Sequence, residues 1–374
     1  MINLENFQIK RKKFVLNKNF RIIAACFNLK CAMKRLYYFL CLPFAALFFS
    51  CSTDIDLYAD YQEKPVIYGI LDSNADTNFV KITRTFFVQN DAYQVAANPD
   101  SSNYPGKLDV RLIEFCNGDS IREIILDTIT IHNKEQGIFY APHQKLYYTT
   151  ERLGMNTKKD KYSYRLRVVL PDRVLTTEAK MVGSNYFDVQ SLGLNFSKEY
   201  FGTRRPFLFR PATNASIYHV TITFTFLEQR TPDADSVPKT MYWDKGYYLE
   251  GDLANFMEEG CYVFKYRPEE FYAHLAEFVG GDTVSGVQRL LTDYPTEVII
   301  EAAGENLRQY MYLNDPANGI AAGDNEFSLI DDGYGVFSSR MVVRHYIRLG
   351  GETVPDLLDM TNWGFKFIGG EPIE

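Results

Sequence analysis

The side chains that best suggest a binding site lie late in the chain, at 331–337. Two adjacent carboxylates, Asp331 and Asp332, are followed by Tyr334 between two glycines. Glycine adopts backbone angles that other residues avoid, and it lets another chain segment approach closely. The pair therefore predicts either a tight turn that feeds the next strand or a turn that presents Tyr334 and both acids. We take Asp331, Asp332 and Tyr334 as the candidate residues for binding a ligand or partner.

No recognised catalytic motif accompanies these residues. The five histidines lack the H-E-x-x-H or H-x-H spacing of metal sites, and no G-x-S-x-G turn exposes a nucleophilic serine. Asp315, Asp324, Asp331 and Asp332 bracket a loop rich in Gly and Asn, but their spacing fits no EF-hand. This pattern favours a solvated acidic loop over a calcium site. We therefore expect no metal, no cofactor and no catalytic residue.

The strongest chemical signal is a cysteine that follows an export leader. Lys34 and Arg35 precede an apolar run at 36–49, which is too short to span a bilayer and has the layout of a removable signal peptide. Residues 48–51 resemble a bacterial lipobox, which implies that Cys51 is acylated and becomes the mature N-terminus. The alternative is an ordinary signal peptide with an incidental cysteine.

Lipidation at this position would keep the mature protein on a membrane, because stable anchoring needs more than one acyl chain. Asp54 and Asp56, soon after the cysteine, resemble the export signal of surface lipoproteins in Bacteroidota. Residues 1–32 are basic and precede a suitable start at Met33. We therefore interpret them as the result of a start codon assigned too far upstream, and not as a nucleic-acid-binding arm. The expected location is the outer membrane, lipid-anchored and surface-exposed.

Charge and cysteine content narrow the function classes further. Loss of residues 1–50 removes nine of the 40 basic residues and one of the 47 acidic ones, which leaves a net charge near −15. Such a chain repels phosphates, so we expect no nucleic acid as partner and no charge-driven membrane binding. The remaining cysteines, Cys116 and Cys261, lie in segments that we assign to different domains. We expect both to be buried free thiols; the alternative is one disulfide between them in an oxidising compartment.

Strand patterns in residues 65–182 predict an N-terminal immunoglobulin-like antiparallel sandwich, which follows a tether at 51–64. Residues 162–168 alternate between apolar and polar side chains. The runs at 110–115 and 121–131 are predicted strands on either side of an Asn-Gly turn. The polar stretch 89–106 predicts a long loop, and no convincing helix precedes residue 183. Short strands at this spacing are typical of a sandwich.

Residues 183–374 predict a second, β-rich domain with a few packed helices, so the fold class is mainly β. The strongest strand, 218–226, alternates throughout and places His219 on its wet face. Short helices are expected at 305–313 and 355–360.

The clearest helix is predicted over residues 268–279. It begins with a proline and two acids and ends before a glycine, as helix termini commonly do. Phe271, Leu275 and Phe278 share one face at helical spacing, so we expect this face to pack on the sheet.

Four stretches, 65–72, 218–226, 305–313 and 331–337, are similar to an uncharacterised family of Bacteroidota outer-membrane lipoproteins. The resemblance covers nearly all of the chain after the leader. It implies an outer-membrane location and, for some members, a position beside a TonB-dependent transporter. It implies no catalytic residues.

Four Asp-Ser/Thr-apolar triplets resemble the O-glycosylation sequon of Bacteroidota. Their acceptor residues are Ser120, Thr128, Ser236 and Thr283. Thr128 falls within a predicted strand, whereas Ser236 falls in a predicted loop and is the best candidate.

The sequence therefore predicts a lipid-anchored, non-catalytic cell-envelope protein that binds a ligand or serves as an accessory subunit of an outer-membrane transport system. One alternative is a structural or adhesive surface protein, and another is a carbohydrate-active enzyme. An exposed aromatic cluster over a groove favours the first reading, and a flat sandwich without a pocket favours the second. Two carboxyls facing each other at about 5–10 Å would favour the enzyme.

Overall fold

Two β-sheets with alternating side chains organise the first half of the chain. The computed structural model describes residues 61–88, 91–154, 161–183, 187–231, 233–258, 260–280, 286–314 and 329–373. Within these ranges, the strands before residue 181 are β1 (Pro65–Asp72), β2 (Asn78–Arg84), β3 (Asp109–Cys116), β4 (Asp119–Ile125), β5 (Asp127–Ile131), β6 (Gln144–Thr149), β7 (Tyr162–Val169) and β8 (Val174–Lys180).

These strands form an immunoglobulin-like sandwich, as the sequence predicts. One layer has the order β1-β2-β6-β5 and the other the order β4-β3-β7-β8, with antiparallel pairing throughout. Lettered in chain order, the layers are A-B-E-D and C′-C-F-G, which is the strand order of immunoglobulin domains. The core lies between the layers, because buried side chains from both of them form one cluster. In β7, for example, every second residue is buried, beginning with Tyr162.

A buried polar network fixes one end of the sandwich. Glu114, which is 1% exposed, accepts hydrogen bonds from the Tyr164 hydroxyl at 2.7 Å and from Arg122 Nη2 at 2.8 Å. The Tyr164 oxygen also accepts a hydrogen bond from the Gly154 amide at 2.7 Å. Burial, followed by the bond to Glu114, raises the pKa of Tyr164. A tyrosine of strand F that bonds to backbone just upstream is a known device of this fold.

The stretch 89–106 is not the plain loop that its polarity predicts. It contains two short helices, α1 (Ala92–Ala96) and α2 (Pro99–Ser102). The Asp91 carboxylate accepts from the Tyr93 amide at 3.0 Å, and the Asn98 amide oxygen accepts from the Asp100 amide at 3.0 Å. Asp and Asn are favoured at helix N-caps. Asp91 and Asn98, whose polarity predicts a loop, therefore begin helices instead.

One predicted strand is two. The run at 121–131 divides at Leu126, which is 1% exposed and belongs to the core. β4 lies before this residue in one layer, and β5 lies after it in the other. Three isoleucines of this run, Ile121, Ile125 and Ile129, are solvent-exposed.

The second half continues one layer of the sandwich. Its described strands are β9 (Asp188–Val189), β10 (Gly193–Leu194), β11 (Arg205–Arg210), β12 (Ile217–Gln229), β13 (Val237–Leu249), β14 (Tyr262–Tyr266), β15 (Gln288–Leu291), β16 (Thr296–Ala303), β17 (Tyr334–Leu349) and β18 (Phe365–Phe367). The continuous sheet runs β18-β15-β12-β16-β17-β1-β2-β6-β5, with β13 paired to β12 and β10 to β17. A smaller sheet has the order β14-β11-β9.

Helices pack on this second half, as expected. The described helices here are α3 (Glu250–Ala254), α4 (Pro268–Val279), α5 (Glu305–Asn314) and α6 (Thr353–Leu358), with 3₁₀ turns at Lys198–Tyr200 and Thr361–Trp363. α4 ends at left-handed Gly280, as predicted. Its buried face includes Phe271, Leu275 and Val279, but Phe278 is 42% exposed and the prediction for it was wrong. The buried face is rotated away from Phe278, which lies at its rim. In the ranges that the structure covers, no helix has the length and apolar character needed to cross a membrane.

The two halves have separate cores and share a sheet. One core draws on residues up to Met181 together with Ile330 and Phe337, and the other begins at Val182. Residues 62–374 group into one compact unit. The division into domains at 182 and 183 therefore stays a prediction.

The connection between the halves is a parallel pairing of β1 with β17. The register runs from Val66 opposite Tyr334 to Asp72 opposite Arg340. Gly335 has φ +103°, and a Cβ there would lie 2.0 Å from the carbonyl oxygen of Ile67. The close approach expected of the paired glycines is thus present, and only glycine fits at this position.

α5 is held against β17 at its first turn. Asn306 Nδ2 donates to the Phe337 carbonyl oxygen at 2.9 Å, and the Leu307 amide donates to Ser338 Oγ at 3.2 Å. Glu305 accepts from Arg308 Nε at 2.8 Å and from Gln309 Nε2 at 2.7 Å. These bonds, led by the one from Arg308, lower the pKa of Glu305 to about 2.

We expect Gly335→Ala to destabilise the protein far more than Gly118→Ala. Both glycines have positive φ, but a Cβ at Gly118 (φ +92°) meets nothing within 4 Å. The control substitution should cost about 1 kcal/mol of backbone strain. Gly335→Ala must also push β1 away from β17, so we expect about 3 kcal/mol or more. Urea denaturation of both variants measures the difference, and equal losses would contradict a close approach at Gly335.

We expect Glu305→Gln to lower the free energy of unfolding near neutral pH and to have no effect near pH 2. A carboxyl whose folded pKa is depressed stabilises the fold above its unfolded pKa, and this contribution disappears as pH falls from about 4.5 to about 2. Denaturant unfolding of both proteins across this range measures it. Glu199→Gln makes the same change at an exposed carboxyl, and a matching pH dependence there would refute the assignment.

Candidate functional site

The outer face of the sandwich layer that contains β1 and β2 carries an unusual mixture of aromatic and basic side chains. Because alternate residues of a strand point to opposite faces, burying Ile67 in the core turns Tyr68 outward, where it is 42% exposed. On the neighbouring strand β2, Lys81 lies directly opposite Tyr68 and points to the same face. The next residue on that face is Thr83.

Two loops rise over this face and enclose a cleft of 470 Å³. One is the connection from β2 to β3, which contains α1 and α2, and the other is the connection from β5 to β6, residues 132–143. We call the space between them the lysine cleft. Its principal lining residues are Val66, Tyr68, Lys81, Thr83, Arg84, Phe86, Lys134, Phe139, Tyr140, His143, Gln144 and Lys145.

Two lysines of the cleft hold the loops in place. Lys145 Nζ, on β6, donates to the carbonyl oxygens of Tyr104 at 3.0 Å and Gly106 at 2.6 Å, so it fastens the first loop to the sheet. Lys134 Nζ donates to the Tyr140 carbonyl oxygen at 2.6 Å and lies 5.6 Å from the centre of the Phe139 ring. These contacts fold the second loop back on itself.

Lys81 has a different environment. Its ammonium donates to Gln144 Oε1 at 3.2 Å, which is a neutral acceptor. Burial, and then repulsion from Lys134, lower the pKa of Lys81, and burial likewise lowers the pKa of Lys145. None of the described lining residues is a carboxylate. The cleft is therefore a positively charged recess with no acidic side chain in its described wall.

Arg84 differs from the lysines because its charge is neutralised. Its Nη1 lies 2.7 Å from Glu63 Oε2, and its Nη2 donates to the Asp100 carbonyl oxygen at 2.8 Å. The guanidinium also lies 5.8 Å from the centre of the Tyr104 ring. It helps to hold the first loop and contributes little net charge to the cleft.

Two histidines meet at the cleft wall. His132 Nδ1 and His143 Nδ1 are in hydrogen-bond contact, and the ring centres are 4.4 Å apart. In such a contact one ring nitrogen donates and the other accepts. The Tyr140 ring lies 6.0 Å from His143.

Tyr310, in the second half of the chain, contacts a residue of the cleft wall. Tyr310 of α5 contacts Tyr68 edge to face, with ring centres 6.0 Å apart and hydroxyl oxygens 3.2 Å apart. Burial and this hydrogen bond raise the pKa of Tyr310 to about 12. The contact supports Tyr68 in the wall of the cleft.

The residues proposed from sequence as a binding site lie beside the cleft rather than in its described lining. Asp332 has φ +57° in the turn before β17, and its Oδ2 lies 2.9 Å from Arg173 Nε, while Asp331 is exposed. Tyr334 is half-buried, with Lys64 Nζ 5.5 Å from its ring centre. It pairs with Val66, which lines the cleft. A binding role for Asp331, Asp332 and Tyr334 stays a prediction.

The predicted modification sites are surface residues where the structure describes them. Ser120 and Ser236 are exposed, and Thr128 is half-buried near the start of β5. Thr283 and Cys51 lie outside the described residues. Their modification stays a prediction.

The remaining predicted residues are partly as expected. Cys116 is a free thiol but is only half-buried, and Cys261 is buried. His219 lies on the wet face of β12, as predicted. Sequence reasoning missed that its Nε2 lies 2.9 Å from Asp244 and its Nδ1 3.1 Å from Glu301. Among the described residues, no group of three or more His, Cys, Asp or Glu side chains could hold a metal.

Sequence reasoning missed the lysine cleft itself. The period-two pattern of β2 could have shown that Lys81 points outward. Lys134 and Lys145 are far away in sequence, however, and β6 was not predicted. Only the layer order β1-β2-β6 brings the three ammonium groups to one face.

Neither a protein-family model nor a curated protein sequence matches the chain. Among solved structures, trypsin-activated alpha-2-macroglobulin from Escherichia coli is similar to it at 10% sequence identity with a TM-score of 0.16. The match covers 65% of this chain and 14% of that one, so the chain spans about one seventh of that protein's length. A likeness at this level carries no argument about this chain.

Proposed function

We propose that the protein is a lipid-anchored, non-catalytic binding protein of the cell envelope whose lysine cleft captures a small molecule. The cleft is the observation that carries this proposal. Its volume of 470 Å³ falls within the range of about 300–1,000 Å³ that is common for small-molecule sites. Aromatic side chains and a few convergent polar groups line it, which is the usual make-up of such a site.

The alternatives receive less support from the same geometry. An exposed aromatic cluster over a groove is the feature that favours a binding protein over a purely structural or adhesive one. A carbohydrate-active enzyme needs two carboxyls across its cleft, about 5–10 Å apart. The described lining of the lysine cleft contains no carboxylate.

Anchoring and partnership are the second part of the proposal. The leader and Cys51 support an outer-membrane lipid anchor with the described residues at the cell surface. The resemblance to envelope lipoproteins supports an accessory role beside a TonB-dependent transporter, to which captured ligand is delivered. The mature charge near −15 argues against nucleic acid as the alternative partner.

We expect the full chain to bind an aromatic probe with one-to-one stoichiometry. The probes are 2-naphthoate and its uncharged analogue 2-naphthamide, measured by isothermal titration calorimetry. Thr83→Trp places a large ring in the cleft and should abolish binding. Thr176→Trp makes the same change at an exposed position of β8, on the other layer, and should bind like wild type. Failure of both probes to bind wild type, or equal binding by Thr83→Trp, would overturn the cleft as a binding site.

We expect Cys51→Ala to release the protein from membranes or to leave the precursor unprocessed, because the acyl chains are attached to this sulfur. Fractionation and intact-mass measurement of the expressed protein detect both results. Cys116→Ala is the matched control and should remain membrane-bound at the mature mass. A Cys51→Ala protein that still fractionates with membranes at its mature mass would exclude the lipid anchor.

A further inference from the structure

We propose that the ligand of the lysine cleft is a small organic anion, with an acidic group such as a carboxylate, sulfonate or phosphate on an apolar, aromatic body. This inference rests on the proposed function and adds the chemical class of the ligand. It is carried by the charge of the described cleft wall, by the hydrogen-bond donors that remain there, and by the aromatic side chains around them.

The charge of the cleft opposes that of the whole chain. The mature protein has an excess of about 15 acidic residues, yet Lys81, Lys134 and Lys145 converge here and the described wall contains no carboxylate. Withdrawing an ammonium group from water costs free energy unless an opposite charge or hydrogen-bond acceptor replaces the water. Lys81 has Gln144 as its acceptor, at 3.2 Å. An anionic group beside Lys81 would supply the missing counter-charge.

The donors left in the cleft indicate where the anion lies. An ammonium group has three donors. Lys145 uses two on the carbonyl oxygens of its loop, and Lys134 uses one. Lys81 uses one on Gln144, so Lys81 and Lys134 each keep two donors, and of the three lysines only Lys81 makes no bond to a loop carbonyl oxygen. We assign Lys81 as the principal contact of the anion, with Lys134 as the nearest second charge.

The remainder of the wall selects an apolar body. Phe86, Phe139 and Tyr140 line the loop side, and Tyr68 lines the sheet side. Flat rings offer large contact area and stack on other rings at little entropic cost. Phe139 is 51% exposed, so a stacked ligand would cover apolar surface that now faces water. A bare inorganic anion would leave this surface and most of the volume unfilled.

The decisive comparison is between 2-naphthoate and 2-naphthamide, which share the same ring system and differ in the charge of one group. We expect the full chain to bind 2-naphthoate at least tenfold more tightly than 2-naphthamide and to bind inorganic phosphate more weakly than 2-naphthoate. The preference should shrink as salt is added, because salt screens charge interactions. Calorimetry at low and at moderate ionic strength measures each affinity.

Lys81→Glu should remove the preference for the anion, so that 2-naphthoate binds no more tightly than 2-naphthamide. Lys366→Glu makes the same charge change on β18, at an exposed position, and should behave like wild type. Lys81→Met removes the charge but keeps a side chain of similar length, so it is less disruptive to folding than Lys81→Glu. Lys81→Met should also lose the preference for the anion. Thermal melting checks that each variant is folded.

The outcomes separate the two proposals. Equal binding of 2-naphthoate and 2-naphthamide, or an anion preference that survives both substitutions at Lys81, overturns the anion class and leaves the cleft as a binding site. If the full chain binds neither 2-naphthoate nor 2-naphthamide, the proposed function and this inference are both overturned. Phosphate that binds as tightly as 2-naphthoate overturns the aromatic body.

Discussion

The parallel pairing of β1 with β17 holds the two halves of the chain in one continuous sheet. It makes β1 an inner strand, because β2 lies on its other side, and so joins the sandwich layer to the strands of the second half. Phe337 enters the sandwich core from β17. Ser339, two residues later, donates to the Lys180 carbonyl oxygen at 2.7 Å and accepts from the Val182 amide at 2.8 Å, which fixes the point where one core gives way to the other.

Much of this fold could be predicted from sequence because its strands have one dry face and one wet face. The alternation in β7 and β12, and the proline and glycine that bound α4, are local signals, and the structure confirms them. Errors arose where a tertiary contact overrides local pattern. The run at 121–131 is divided because Leu126 is buried in the core, with the residues before it in one layer and those after it in the other. The N-caps Asp91 and Asn98 begin helices in a stretch whose composition predicts a loop.

The candidate site was harder to predict because it depends on layer order rather than on any motif. Three lysines from β2, a loop and β6 share no spacing that a sequence displays, and each alone resembles a solvated surface lysine. The acidic character of the whole chain points away from a basic recess. Net charge describes the average surface and long-range repulsion, whereas recognition depends on the few groups that one cleft encloses. The two glycines of the Asp-Gly-Tyr-Gly turn suggested a special backbone conformation. At Gly335 the reason is the close approach of the Ile67 carbonyl oxygen.

The direction of the β1–β17 pair has a mechanical consequence. Tension on the chain ahead of Pro65 pulls β1 toward its own start, while β16 holds the far half of β17 in the body of the sheet. The two strands run the same way, so this load slides them past each other instead of peeling them apart. Parallel ladders space their hydrogen bonds evenly, and the pairs from Val66 to Asp72 would share the force at once. A protein held by its N-terminus and tugged by a partner at its far end would resist rupture in this geometry.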